Sequence, residues 1–216
     1  MRDIIMKKYV SNQSGRSMIE MLGVLAIVGV LSVAGIAGYS KAMAKYKTNK
    51  LIDQVSTVAA NVRTTFAGQG NYKGLDSEVA YHLGIYPEEM TKDCAKGFDI
   101  SCVRTSFGGY VDIVAVELYI NGFSGKEGDT FSFAVGGFNK ETCSSLAALD
   151  WGADAVGIVG GEGFADDPEL LGSMLLDDNL IYSISDIKEN RMDAISKICG
   201  TCNNAENRCA VGWVFR

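Results

Sequence analysis

Residues 15–40 read GRSMIEMLGVLAIVGVLSVAGIAGYS, and the twenty residues from Met21 to Ser40 carry no charge. As a helix rising 1.5 Å per residue, that run spans about 30 Å, the thickness of a bilayer's hydrocarbon core, so it predicts a membrane-spanning segment. Arg2, Lys7, Lys8 and Arg16 precede it against Asp3 alone, a pattern that suits a cytoplasmic N-terminus. Lys41, Lys45, Lys47 and Lys50 follow it, so the two flanks carry equal positive charge. A secretory signal cut at Ala42-Met43-Ala44 is the competing reading, but the apolar run is longer than the roughly 7–15 residues of a usual signal core. Glu20 also stands at its edge, where a carboxylate is costly unless it snorkels or meets a cation.

The pattern continues past the span. Leu51, Val55, Val58 and Val62 recur at i, i+4, i+7 and i+11 with Ile52, Ala59 and Phe66 on neighbouring rows, while Lys50, Asp53, Gln54, Asn61 and Arg63 fall elsewhere. No proline interrupts Ser17 to Ala67, which predicts one helix of about 75 Å stopping at Gly68. Its first half is apolar all round and its second half is amphipathic. This asymmetry fits a helix buried in lipid or in other copies of itself below, and packed on its own globular domain above.

Gly15-Arg16-Ser17-Met18-Ile19-Glu20 before the apolar run resembles the class III signal of type IV prepilins and type II secretion pseudopilins. The resemblance implies cleavage by a prepilin peptidase between Gly15 and Arg16, with Glu20 as the acidic fifth residue of the mature chain and a residue of assembly. Gly29 matches the mid-helix glycine and Tyr39 the tyrosine near the membrane exit. Arg16 stands where a hydrophobic, N-methylated residue is usual, and Ala37 where many pilins carry a helix-bending proline. The implied organisation is a leader over 1–15, a long helix over 16–67 with its transmembrane segment at 21–40, and a head over 68–216.

The head differs from the stem in charge. Residues 71–216 hold 11 basic and 23 acidic residues, a net of −12, whereas the residues before them are net +6. Such a head is unsuited to phosphate backbones, so no nucleic-acid partner is expected. Cys94, Cys102, Cys143, Cys199, Cys202 and Cys209 all lie in it, an even set suited to an oxidising compartment and disulfides. Cys94 and Cys102 can clip one loop. For the others, Cys143–Cys199 with Cys202–Cys209 is preferred to Cys143–Cys209 with Cys199–Cys202.

Asp76 to Leu83 is predicted as a short helix. Tyr110–Ile120 and Thr130–Phe138 are β-branched and aromatic runs with turn residues between them, which predicts a hairpin. Asn139 can cap a helix through Leu149, and Cys209–Phe215 is a closing strand. A helical region broken near Asp177 is expected from Pro168 to Cys199, and the Gly- and Asp-rich stretch from Gly152 to Asp167 reads as a flexible loop. The sum is an α+β fold, a long helix packed on an antiparallel sheet. The order resembles type IVb pilins, including the Cys-bearing ETCSSLAALDWG segment after the hairpin.

Catalysis finds little footing. His82 is the only histidine and reads as a partly buried structural residue. The Cys199-Gly200-Thr201-Cys202 pair follows a helix, whereas a thioredoxin-like pair opens one. Zinc on Cys199, Cys202 and Cys209 lacks a second C-x₂-C or a nearby histidine. Asp150, Asp154, Glu162, Asp166 and Asp167 are a candidate calcium set by likeness to pseudopilin calcium loops, against a solvated acidic surface. No catalytic residue, cofactor or metal is therefore expected. The resemblance implies a structural subunit of a type IV pilus, a homopolymer that passes from the bacterial inner membrane to an extracellular filament. Its implied partners are the membrane, the prepilin peptidase, the assembly platform and minor pilins. Alternatives are a minor pilin, a type II secretion pseudopilin, or a membrane-anchored periplasmic binding or redox module that never assembles.

Overall fold

The computed structural model describes residues 18–94, 97–117, 119–120, 123–124, 126, 128–152, 154–162, 171, 182–183, 187, 189, 191–202 and 208–216. Helix α1 runs from Met18 to Phe66 without a break. Two compact units are distinguished, one ending at Ala44 and one comprising Lys45–Arg216. The second therefore contains the amphipathic part of α1 together with the head.

Within that second unit, α2 (Ser77–His82) is capped by the Asp76 carboxylate, which accepts from the Val79 amide at 2.8 Å. Three short 3₁₀ turns follow, at Glu88–Met90, Lys92–Cys94 and Ile100–Cys102. The strands are β1 (Val111–Val116), β2 (Tyr119–Ile120), β3 (Phe123–Ser124), β4 (Thr130–Phe138), β5 (Ala155–Glu162), β6 (Tyr182–Ser183) and β7 (Cys209–Phe215). Helices α3 (Lys140–Ala147) and α4 (Arg191–Gly200) are also described. The main sheet is antiparallel in the order β1-β4-β7-β5-β6. The predicted hairpin is β1 against β4, with Val111 opposite Val135, and the small β2–β3 pair lies between them in sequence. Asn139 caps α3 by accepting from the Thr142 amide.

Both faces of the sheet are covered, which explains why all seven residues of β7 are buried. On one face Ile113, Phe133, Trp213 and Phe215 share a core with Leu51, Val55, Val58 and Val62 of α1 and with Leu146 and Ile198 of α3 and α4. On the other, Val116, Ala134, Val159, Ala210 and Val214 meet Leu171. Successive β7 side chains alternate between the two clusters, as the two-residue period of a strand requires.

Three expectations need correction. The Gly-rich stretch is not a loop: Ala155–Glu162 is strand β5, paired with β7 along its length. Gly160 serves close packing, since a Cβ there would lie 2.6 Å from Ile198 Cγ2 and 2.7 Å from the Ala210 carbonyl oxygen. The helical region expected from Pro168 to Cys199 is helical at Leu171, Ile187, Glu189 and Arg191–Gly200, but strand β6 at Tyr182–Ser183 interrupts it. His82 is exposed rather than partly buried, 3.8 Å from Glu78 on the same short helix.

Candidate functional site

From Met18 to Ile36 every large aliphatic side chain of α1 is about half exposed or more, and none of the apolar window is buried. Each such side chain gains roughly 1.5–3 kcal/mol on leaving water, so a surface of this extent is stable only in lipid or against other protein. The two serines of the run are internally satisfied: Ser32 Oγ donates to the Val28 carbonyl and Ser40 Oγ to that of Ile36. Gly29, Val30, Val33, Ala34 and Ala37 line a shallow furrow on this surface. Glu20 is exposed on the first turn of α1 and is the one carboxylate between Met18 and Ile52. Gly15 and Arg16 lie outside the described residues.

The amphipathic part of α1 is fixed to its head by polar contacts as well as by the core. Ser106 Oγ donates to the Lys47 carbonyl at 2.9 Å, and the Ser106 amide donates to Gln54 Oε1. Buried Gln54 donates in turn to Glu89 Oε1 at 2.7 Å, whose other oxygen meets Lys50 Nζ at 2.8 Å. The Lys50 hydrogen bond holds the Glu89 carboxyl below the usual range, with Gln54 adding to it. Higher on the helix, Asn61 donates to the Ile85 carbonyl. Arg63 lies 3.4 Å from Asp154 and over the Phe215 ring. A half-exposed ion pair is worth at most about 1 kcal/mol, so these contacts set register while the apolar face supplies most of the stability.

A buried cluster that sequence reasoning missed ties α2 to the sheet. Ser77 Oγ donates to Asp112 Oδ1 at 2.6 Å, lies 3.0 Å from the Tyr86 hydroxyl, and accepts from the Ile113 amide at 3.1 Å. Its one sequence signal is a lone acid inside the apolar run VDIVAV. The Ser77 proton is committed to Asp112, and the one histidine of the chain, His82, is exposed beside Glu78, so the cluster is a clasp. Burial pushes the Asp112 carboxyl up to about 6 despite the Ser77 and Ile113 hydrogen bonds.

The sign of the resulting pH dependence follows directly. The folded chain holds this proton more tightly than the unfolded chain, so stability from this group is full below about pH 3.8, falls as pH rises through about 6, and is flat above. The loss is roughly 3 kcal/mol at about 1.4 kcal/mol per pKa unit. In Asp112→Asn, whose amide oxygen can still accept from Ser77, the fall between pH 4 and 6 is expected to vanish. Guanidinium titrations at both pH values check this, and an unchanged wild-type-like fall in the variant refutes it.

All six cysteines are oxidised, as Cys94–Cys102, Cys143–Cys199 and Cys202–Cys209. The second joins α3 to α4 and the third joins the exit of α4 to β7. The sulfurs of Cys143, Cys202 and Cys209 lie within 4.8 Å of one another, but as disulfides they offer no thiolate to zinc. The calcium set is not assembled among its described members. Asp154 sits beside Arg63, and strand β5 separates it from Glu162 by about 26 Å at 3.3 Å per residue. Asp166 and Asp167 lie outside the described residues.

A helix bare and apolar in one half, packed on an antiparallel sheet in the other, with a disulfide-linked segment after the hairpin, defines a pilin-type subunit. Residues 40–166, more than half of the chain, match the family model described as Bundlin, and the chain belongs to that family. It is a type IVb pilin, a structural subunit and not an enzyme. Among solved structures it is similar to the crystal structure of TcpA, a type IV pilin from Vibrio cholerae El Tor biotype. The match has a TM-score of 0.43 at 13% identity, covering 79% of this chain and 99% of that chain. Comparison with curated proteins finds no match.

Proposed function

We propose that this pilin is the repeating subunit of a type IV pilus filament, made as an inner-membrane precursor and polymerised through α1 into an extracellular fibre. The observation that carries the reading is the exposed apolar surface from Met18 to Ile36. A membrane shelters such a helix in the precursor. A bundle of identical helices at a filament core replaces that lipid without returning the side chains to water. Gly15-Arg16 is the cleavage site of the prepilin peptidase, which removes the leader over 1–15 and leaves the span over 21–40 on the mature chain. The assembly platform and minor pilins are the partners of extrusion. In the core, Glu20 faces the α-amino group that cleavage creates on Arg16 of a neighbouring copy.

Subunits from sheared filaments are expected to begin at Arg16 and to contain the 201 residues left when 15 are removed from 216. Replacing Gly15 with a bulky residue should leave the precursor uncut in the membrane. Intact-mass measurement decides both. A mature chain starting at Lys45 would identify an ordinary secretory signal instead, and a chain that never enters filaments would be an anchored periplasmic module.

A further inference from the structure

The translocated flank of the span carries Lys41, Lys45, Lys47 and Lys50, and no acid occurs from Met21 to Ile52. Positive charge at this flank opposes the usual orientation preference, so these lysines call for a task. Two have one within the chain: Lys50 pairs with Glu89, and Lys47 lies over the Phe107 ring while its carbonyl accepts from Ser106. Lys45 is exposed and makes no ion pair or hydrogen bond among the described residues. It lies roughly 140° around the helix from Lys50 and roughly 120° from buried Leu51, on the side turned from its own head.

The acidic counterpart is the segment from Asp76 to Cys94, which holds Asp76, Glu78, Glu88, Glu89 and Asp93 against one lysine, Lys92. Pro87, Glu88, Glu89 and Lys92 line a shallow concavity there. Its height along α1 is fixed, because Glu89 is bonded to both Lys50 and Gln54. Glu88, next in the chain, is exposed and forms no ion pair among the described residues.

We propose that Lys45 of one copy docks on Glu88 of a neighbouring copy, forming a second, polar contact between subunits above the apolar core. The proposal rests on the filament reading. Moving a neighbour along the helix axis by five residues, about 7.5 Å, brings its Lys45 to the height of Lys50 and the Glu88–Glu89 turn. The contact also places a cation against an acidic head that otherwise repels its neighbours. Since the same patch is not the one that presents the lysine, the interface is head-to-tail and propagates without closing.

The test is a charge swap in the full-length chain, read as sheared-filament yield beside membrane-fraction level. Lys45→Glu and Glu88→Lys are each expected to lower filament yield at least tenfold at unchanged membrane level. The double variant Lys45→Glu/Glu88→Lys is expected to recover to within twofold of wild type. Wild-type filaments with single variants that assemble normally, or a double variant no better than the singles, would overturn the docking alone. A fall in membrane level on Lys45→Glu without recovery in the double variant would assign the lysine to lipid phosphate and equally overturn it. Absence of this chain from wild-type filaments would instead overturn the filament reading beneath it.

Discussion

Replacing Glu20 with alanine is expected to leave the processed chain in the membrane at wild-type level while lowering sheared-filament yield at least tenfold. Neither insertion nor leader removal needs the charge, because the apolar window that directs insertion starts beyond it and the cut precedes it. Assembly is different. When helices bundle, a carboxylate at this depth leaves water and headgroups for hydrocarbon, where an ion without a countercharge carries a penalty of several kcal/mol or takes up a proton. Under the proposed cleavage after Gly15, the cation offered by a neighbour is the Arg16 end, with an α-amino group and a guanidinium able to engage a carboxylate through two hydrogen bonds. On the proposed filament reading Glu20 selects one axial register, whereas alanine leaves the bundle free to slide and the Arg16 end without a partner. Glu20→Gln separates charge from size, and the same loss is expected from it. Wild-type filament yield from Glu20→Ala would show that the carboxylate only snorkels to the headgroups.

Legibility of this fold in the sequence follows how local the controlling signals are. The helix from Met18 to Phe66 was readable because its apolar period and the lack of proline are properties of the segment itself. The Asp76 and Asn139 caps were readable for the same reason. Strand β5 was not. AVGIVGGE sets three glycines, which are depleted in strands, among its β-branched residues, and Gly160 is demanded by Ile198 and by the Ala210 backbone, neighbours that only the folded chain brings near. The Ser77–Asp112–Tyr86 clasp escaped for a similar cause, as its members are 35 and 9 residues from Ser77. His82 illustrates the reverse error, a residue between Tyr81 and Leu83 whose side chain faces solvent because Leu83 is itself exposed at the end of a six-residue helix. The residues proposed for assembly come from the sequence alone, while the anchoring of α1 through Gln54, Glu89 and Ser106 required the fold, since these residues are up to 52 positions apart.

Removing the disulfide between Cys143 and Cys199 by the paired change Cys143→Ser/Cys199→Ser should cause the largest stability loss of the three bridges. It closes 56 residues, against 8 for Cys94–Cys102 and 7 for Cys202–Cys209. In the chain-entropy account its loss costs about 4 kcal/mol and that of either short bridge about 2.5 kcal/mol. The native state adds to this difference. Cys143 and Cys199 are buried where α3 and α4 meet beneath the β5–β7 part of the sheet, so two serine hydroxyls there lose water without an assured partner. A loss of that size lowers the melting midpoint by roughly 10 °C for a domain of this length. The two tryptophans, Trp151 and Trp213, pack edge to face with ring centroids 5.6 Å apart, so their fluorescence in a guanidinium titration of detergent-solubilised protein reports unfolding of the head. The four remaining cysteines are expected to stay oxidised, and thiol counting under denaturing conditions checks that. Two titratable thiols, or a loss no larger than that of Cys202→Ser/Cys209→Ser, would show that Cys143 is bonded elsewhere. The α3–α4 junction would then be held by packing of Leu146 and Ile198 rather than by a covalent tie.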